Sequence, residues 1–263
     1  MVPLPPGLPD WRDEAAYRPL LDADRSVLAW EWLRRNSDYR RAAGTALRRH
    51  RPNRGMILKE QPEAAIWGLH AFEDPRLGAP TARPVWRAEA YRQVLLAVAE
   101  PSAGAGDLFE LDRVKGLATL VRGAGGAEHL LLSDGFTGVR LDVVRGSLLL
   151  GPVMLNSRLP GFGRVEKSIL LLRRLVALWE TGSVARSLHS SDRVLPRHVL
   201  TLRAHDAVVG GANQREIAAR LLSLEARKER WRVTVPSVRS RVQRLTRAAR
   251  VMPGRGYLKV LKR

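Results

Sequence analysis

The sequence predicts an α+β fold with a small helical unit at the N-terminus, an antiparallel β-rich middle and a C-terminal helical domain of the helix-turn-helix type. Helical periodicity with capping residues marks both ends of the chain, whereas short apolar runs separated by glycine-containing turns mark the middle. No long helical pattern interrupts these runs, which argues against a parallel Rossmann-type sheet. We expect three domains, covering residues 1–60, 61–160 and 161–263.

The N-terminal unit is expected to contain three short helices. Asp10 can cap the first, which Pro19 ends, and the second can begin at Asp24 or Ser26. Ser37 can cap the third, which runs toward residue 50. Arginines occupy the polar faces of the second and third helices, and we expect most of them to be solvated: Arg34, Arg35, Arg40, Arg41, Arg48 and Arg49.

Five apolar runs in the middle of the chain predict an antiparallel meander of strands. They span residues 93–98, 117–121, 129–132, 139–144 and 148–155. The residues between them are typical of hairpin turns, and they include the pair Asp134-Gly135. A further short strand is expected at residues 66–70, inside a segment that is otherwise punctuated by glycine and proline.

The C-terminal region contains four predicted helices. The first covers residues 163–180, and the second begins at Pro196 and is stopped by Gly210-Gly211. The third begins at Asn213, where Glu216 completes a capping-box pattern, and its sequence is typical of the first helix of a helix-turn-helix. The fourth covers residues 237–252. A long connection, residues 223–233, precedes it in place of the usual turn of three or four residues.

The fourth of these helices carries the most informative pattern. Val238, Val242, Leu245, Ala249 and Met252 form an apolar stripe about 80° wide, at about 100° per residue. One face can therefore dock on neighbouring helices while the polar, basic remainder enters the DNA major groove. The candidate DNA-contacting residues are Ser237, Arg239, Arg241, Gln243, Arg244, Arg247 and Arg250 on the helix, Lys228, Arg230 and Arg232 before it, and Arg255, Lys259, Lys262 and Arg263 beyond it.

Positive charge is concentrated in the same region. The net charge is +19, and residues 197–263 hold 17 Lys and Arg against 4 Asp and Glu, so that 13 of the 19 charges lie there. This clustering favours a surface that neutralises phosphates and releases their counterions. Solvated helix faces in an arginine-rich protein are the alternative. The lack of cysteine excludes disulfides and cysteine-ligated zinc fingers, and without a secretory signal we expect a cytoplasmic protein that has no membrane partner.

Two stretches of the chain resemble known families. The first resembles the small transcriptional-regulator-like domain of proteobacteria, although Trp32 stands where phenylalanine is expected. It is carried by Asp10-Trp11-Arg12, Ala15-Ala16-Tyr17, Leu21-Asp22, residues 29–36 and Tyr39-Arg40. The second resembles the RovC-type DNA-binding domain, and it is carried by Arg215-Glu216-Ile217-Ala218, Trp231, the helix 237–250 and Gly256-Tyr257. Together the resemblances imply a one-component transcriptional activator of secretion or mobile-element genes.

We therefore expect a sequence-specific DNA-binding regulator that is not an enzyme and needs no cofactor. Its expected partners are double-stranded promoter DNA, a second copy of itself through apolar edge strands, and RNA polymerase or an antiactivator. An RNA-binding or ribosome-associated protein is the alternative, which the lack of an aromatic stacking platform disfavours. A metal-dependent nuclease using Glu110, Asp112 and Lys115 is a weaker alternative, since no other carboxylate cluster supports it.

Overall fold

The computed structural model describes residues 7–49, 57–101, 108–158, 161–189, 192–222 and 236–262. Its helices are α1 (Arg25–Leu33), α2 (Ser37–Arg49), α3 (Gly161–Thr181), α4 (Leu195–Val209), α5 (Gln214–Leu221), α6 (Pro236–Val251) and α7 (Tyr257–Lys262). Its strands are β1 (Ile57–Lys59), β2 (Val94–Pro101), β3 (Ala118–Arg122), β4 (Glu128–Ser133), β5 (Gly138–Arg145) and β6 (Val153–Arg158). The predicted α+β class, with helices at both ends and strands in the middle, is confirmed. None of the helices in these ranges combines the length and the apolar character that crossing a membrane requires.

The strands form one mixed sheet with the order β1-β3-β4-β5-β2-β6. β3, β4 and β5 form the predicted antiparallel meander, and β6 is antiparallel to β2. The expectation of antiparallel pairing throughout is wrong at two places, because β1 is parallel to β3 and β2 is parallel to β5. A parallel pair needs a long crossover connection, which is most often a helix. Between β2 and β5 the crossover contains β3 and β4, which are strands of the same sheet.

Three predicted elements differ from the structure. The apolar run 148–155 is a turn followed by β6, and Glu128 holds this turn by accepting a 2.7 Å hydrogen bond from one of its amides. In place of the strand expected at residues 66–70, a 3₁₀ helix, Pro62–Trp67, ends at Gly68 with a φ of +80°, and only Leu69 makes a β-bridge, with Trp86. Pro19 does not end a helix but lies in the first turn of the 3₁₀ helix Arg18–Leu21, where its missing amide costs no hydrogen bond.

Two large hydrophobic cores organise the chain. In the first, α3 covers one face of the sheet and buries Leu171 and Leu178 among the aliphatic side chains of the strands. The second is formed by α1, α2, residues 62–91, α4 and α7, and it contains Trp30, Trp86 and Tyr257. Helices from the two ends of the chain therefore pack against each other. The division into three domains at residues 60 and 160 stays a prediction.

Candidate nucleic-acid interface

α4, α5 and α6 form a three-helix unit, and a tight turn joins the first two. α4 matches its predicted range to within one residue at each end and is followed by Gly210. Gly211 has a φ of +79°, which L side chains rarely adopt. The amide of Ala212 then donates a 2.9 Å hydrogen bond to the carbonyl of Ala207, so the chain reverses within a few residues. α5 therefore starts next to the end of α4.

The predicted capping box at Asn213 is confirmed and fixes the start of α5. The Asn213 side-chain oxygen accepts hydrogen bonds from the amides of Arg215 (2.9 Å) and Glu216 (3.0 Å). The Glu216 carboxylate accepts a 2.8 Å hydrogen bond from the amide of Asn213 in return. A cap of this kind stabilises a helix by about 1 kcal/mol. α5 then buries Ile217 and Ala218 in the core of the three-helix unit.

α6 has the buried stripe that its spacing predicts. Val238, Val242, Leu245 and Ala249 are all buried, and the partly buried Met252 follows directly after the helix. The first two share a core with α5, and the second two share one with α4. α6 is thus attached to both preceding helices through a single face, which leaves the opposite face available.

The opposite face of α6 is exposed and polar. At about 100° per residue, Arg247 lies about 180° from Val238, diametrically opposite the start of the stripe. Ser240, Gln243 and Arg244 lie within about 60° of Arg247, and all four side chains are exposed. We call Ser240, Gln243, Arg244 and Arg247 the central row. An outward row of this kind is what would reach deepest into a groove against which α6 was laid.

Further exposed basic residues border the central row. Arg239 and Arg250 lie on one side of it, and Ser237 and Arg241 lie on the other. Beyond α6, the exposed side chains of Arg255, Lys259 and Lys262 continue the positive charge. Lys228, Arg230, Arg232 and Arg263 lie outside the described residues. The structure therefore places every described candidate at the surface and brings most of them together on one helix.

No described acidic side chain neutralises this basic surface. Between residues 195 and 262, the described acidic residues are Asp206 and Glu216. Asp206 is fully buried and pairs with Arg35, while Glu216 belongs to the capping box of α5. Within the described residues, the guanidinium groups of α6 therefore have no acidic partner. A planar guanidinium fork fits carboxylates, phosphates and guanine edges.

Comparison with protein-family models matches both ends of the chain. Residues 10–70 match a proteobacterial transcriptional regulator-like domain, and residues 158–262 match a family described as a T6SS transcription factor DNA-binding domain, named after RovC. Each of these two parts of the chain is similar to the family that it matches. No curated protein matches the chain. The matches support a DNA-binding transcriptional regulator, and the stretch that matches the DNA-binding family runs from the end of β6 through α7.

The regulator-like domain holds α4 of the DNA-binding domain through a buried ionic network. Arg35 makes a bidentate pair with Asp206, with nitrogen–oxygen distances of 2.7 and 2.6 Å, and also contacts Glu31 at 2.7 Å. The Tyr17 hydroxyl donates a 2.7 Å hydrogen bond to the same Asp206 carboxylate. Burial alone would raise the pKa of Asp206, but the Arg35 charge and the hydrogen bonds outweigh it and hold that pKa well below its usual value.

The N-terminal segment also contributes to the core of the three-helix unit. The Trp11 ring is buried in the core that α5 shares with Val238 and Val242 of α6. Its carbonyl accepts a 2.7 Å hydrogen bond from Arg203 of α4, and Arg203 makes a 2.9 Å ion pair with Glu14. The regulator-like domain therefore contributes to the hydrophobic core against which α6 packs.

The expectation that most arginines of the N-terminal helices are solvated is wrong for two of the six. Arg34 is 2% exposed and Arg35 is 7% exposed, whereas Arg40 is partly buried and Arg41 and Arg48 are exposed as expected. Arg49 has no described side chain. The sequence of α1 does indicate burial on two sides of the helix, because Trp30 and Trp32 lie about 200° apart around it. A helix that is apolar on opposite sides is buried on both, so its charged residues need buried partners.

The nuclease candidates Glu110, Asp112 and Lys115 are exposed in and beside the short 3₁₀ helix Leu111–Val114. They do not belong to the group of described side chains that could hold a metal ion, which is Glu60, His70 and His129. The matched families describe regulation and DNA binding, which fits a protein that is not an enzyme.

Proposed function

We propose that this protein is a sequence-specific regulator that binds double-stranded promoter DNA by laying α6 in the major groove. The two-faced construction of α6 carries the proposal, because a recognition helix needs one face to dock on its own domain and another to meet base edges. The match of residues 158–262 to a DNA-binding family supports it. Such a regulator acts where its promoter is, which in a bacterium is the cytoplasm.

Within this proposal the central row reads bases. Arg244 and Arg247 provide planar forks for the O6 and N7 atoms of guanine, and Gln243 provides an amide for adenine. Arg239, Arg250 and Arg241 lie toward the sides of α6, where the two phosphate backbones border the groove. They fix the register of the helix, together with Ser237 at its start.

The remaining candidates contact phosphates from outside the groove. Arg255, Lys259 and Lys262 continue from the end of α6, and Arg263 follows them in sequence. Lys228, Arg230 and Arg232 belong to the segment that leads into α6. Phosphate contacts raise affinity for all sequences alike and make binding depend steeply on salt.

For the regulated genes and the direction of regulation, the support is the family resemblance alone. We propose an activator of secretion or mobile-element genes, since the description of the matched DNA-binding family names a secretion system. An activator also has to engage RNA polymerase, so polymerase and an antiactivator are further proposed partners.

We further propose that two copies associate through the outer face of α3, and not through the edge strands that the sequence suggested. Ile169 and Val176 are 45% and 52% exposed there, beside Leu172. Arg173 and Glu180 border the same surface and lie about two turns apart. In an antiparallel pair of α3 helices centred next to Val176, Arg173 of each copy would face Glu180 of the other. This self-complementary charge favours a second copy as the occupant.

Association through α3 is tested by analytical ultracentrifugation of the full chain. We expect Val176→Asp to shift the protein toward the monomer, because it places a buried charge in the centre of the interface. Val144→Asp is the matched control, since Val144 of β5 is 51% exposed and lies outside this surface. A wild-type monomer with and without DNA, or equal association of both variants, would contradict the proposal.

Promoter binding is tested by fluorescence anisotropy with the full chain at two salt concentrations. The probes are a duplex from the gene's own upstream region, a scrambled duplex of equal composition and a single-stranded RNA. We expect the promoter duplex to bind at least about 1,000-fold more tightly than the scrambled one. Equal, wholly salt-driven binding to both duplexes would remove the sequence-specific function, and tighter binding of RNA would favour the RNA-binding alternative.

A further inference from the structure

Two histidine rings stack where the segment 57–91 meets the sheet. His70 follows the 3₁₀ helix Pro62–Trp67, and His129 lies on β4. Their ring centroids are 3.7 Å apart and their planes differ by 20°. Neither ring takes part in the DNA-binding surface, so the proposed function leaves this pair unexplained.

Each imidazole is oriented by a carboxylate. His70 Nδ1 lies 2.8 Å from Glu60 Oε1, and His129 Nδ1 lies 2.7 Å from Asp142 Oδ1. A carboxylate accepts hydrogen bonds, so each Nδ1 carries the proton and each Nε2 presents a lone pair. The pair of His129 and Asp142 has the arrangement in which an outer carboxylate holds a metal-binding histidine. His70 Nε2 is buried and has no hydrogen-bond partner in the described part of the chain.

A gap between two possible ligand atoms lies over Gly123. A Cβ atom built at Gly123 would be 3.1 Å from Glu60 Oε2 and 3.3 Å from His129 Nε2. The φ of Gly123 is −87°, so the backbone does not require glycine there. The absent side chain instead leaves clear space between a carboxylate oxygen and an imidazole nitrogen.

We propose that Glu60, His70 and His129 form a binding site for a divalent transition-metal ion such as Zn²⁺. One ligand atom from each of the three residues lies within 4.8 Å of the other two. Two imidazoles and one carboxylate form a ligand set that suits zinc, with a fourth position left for water. In the structure Glu60 is hydrogen-bonded at Nδ1, on the other side of the His70 ring from Nε2, and the two ring planes are nearly parallel. Binding therefore requires Glu60 to exchange that hydrogen bond for the ion, and it opens the stack so that the lone pairs of the two Nε2 atoms meet at one point.

The charges around the site leave it close to neutral. Arg87 lies 2.9 Å from Glu60 Oε1, and Arg140 lies 2.8 Å from Asp142 Oδ1, so each guanidinium is paired with a carboxylate.

The ion would join two parts of the fold. Glu60 and His70 lie in the stretch that matches the regulator-like domain, whereas His129 lies in the central sheet. Occupancy would hold these parts together without any direct contact with α6. The site can thus be tested independently of DNA binding.

The test uses the full chain, stripped of metal with a chelator and then titrated with Zn²⁺ alone or Mg²⁺ alone. We expect equilibrium dialysis to give one zinc per chain. The Tm should rise by about 5–10 °C at a Zn²⁺ concentration about 100-fold above the Kd. Mg²⁺ should have no such effect, because it prefers oxygen ligands in octahedral geometry. Substoichiometric zinc with an unchanged Tm in the wild type would overturn the proposal.

Variants then locate the ion. Gly123→Ala inserts a methyl group between Glu60 Oε2 and His129 Nε2 without removing a ligand, and we expect it to weaken zinc binding at least tenfold. Gly116→Ala is the matched control, because a Cβ there meets no atom within 4 Å. His129→Ala should abolish the zinc-dependent rise in Tm, whereas His189→Ala, which removes a histidine elsewhere, should keep it. If Gly123→Ala binds zinc as tightly as the wild type, this site is ruled out. The same conclusion follows if a folded His129→Ala protein does so.

Discussion

Two regions of the molecule are rich in arginine, and they use it in opposite ways. Where the N-terminal helices meet α4, Arg34, Arg35 and Arg203 are buried, and each guanidinium meets a carboxylate and a main-chain carbonyl. On the outer face of α6, the arginines are exposed and face no described carboxylate. The first region joins the regulator-like domain to α4 of the DNA-binding domain. The second leaves its charge for a partner, so the neighbours of an arginine decide its role.

The largest expected effect comes from removing a charge at the buried junction. Asp206→Ala leaves Arg35 buried without its main partner, and we expect the free energy of unfolding to fall by about 3–5 kcal/mol. Urea denaturation measures this. The exposed pair of Asp38 and Arg41 provides the control, and Asp38→Ala should cost less than about 1 kcal/mol. Equal losses of unfolding free energy in the two variants would contradict the claim that the buried ion pair contributes more to stability than the exposed one.

The same junction predicts a pH dependence. The folded pKa of Asp206 is lower than its unfolded value, so its pairing stabilises the fold above the unfolded pKa of about 3.9. That stabilisation is lost as the pH falls through the folded pKa. In urea denaturation, the stability gap between wild type and Asp206→Ala should be full at pH 7 and narrow below about pH 4. A gap that is constant from pH 7 to the acid limit of folding would contradict this account.

On the exposed surface, we expect loss of DNA contact with little loss of stability. Arg244→Ala should weaken promoter binding by about 1–3 kcal/mol, because a guanine loses a bidentate partner. Its free energy of unfolding should change by less than about 0.5 kcal/mol. Anisotropy and urea denaturation measure the two quantities. Arg41→Ala, on an exposed face of α2, should leave both unchanged, and a similar loss of promoter binding there would indicate a general charge effect.

The smallest effect is expected beyond α6. Lys262→Ala should lower the affinity for promoter and scrambled duplexes equally and reduce the salt slope of log K by about 0.9, the amount expected for one phosphate contact. Anisotropy at several salt concentrations measures the slope. A selective loss of promoter binding would assign Lys262 to base reading instead.

The local features of the DNA-binding domain could be predicted from the sequence. A capping box at Asn213 and a stripe from Val238 to Ala249 depend on residues three or four positions apart, which is the range over which a helix sets side-chain positions. The polar residues of α6 that lie opposite the stripe had to be exposed once the stripe was buried, whereas Thr246, which lies beside the stripe, is buried. The exposed face of the candidate site was therefore predictable residue by residue.

The long-range features could not be predicted. Arg35 pairs with Asp206, and Trp11 packs on α6, across most of the chain, and no spacing rule connects such positions. The stacked rings of His70 and His129 likewise come from different elements. The sequence did not predict the parallel pairing of β2 with β5, because the usual sign of such a pair is a helical crossover and this crossover contains strands β3 and β4. In each case the partner is chosen by tertiary packing, which one-dimensional patterns do not encode.

The central claim, that the outer face of α6 reads bases and does not merely attract phosphates, is tested most directly by Arg247→Lys. Lysine keeps the positive charge but lacks the planar fork. In anisotropy titrations, we expect the variant to bind the scrambled duplex within about twofold of wild type and to lose about 5- to 150-fold in promoter affinity, the equivalent of one bidentate base contact. A variant that keeps the full wild-type preference for the promoter would show that charge alone acts at this position.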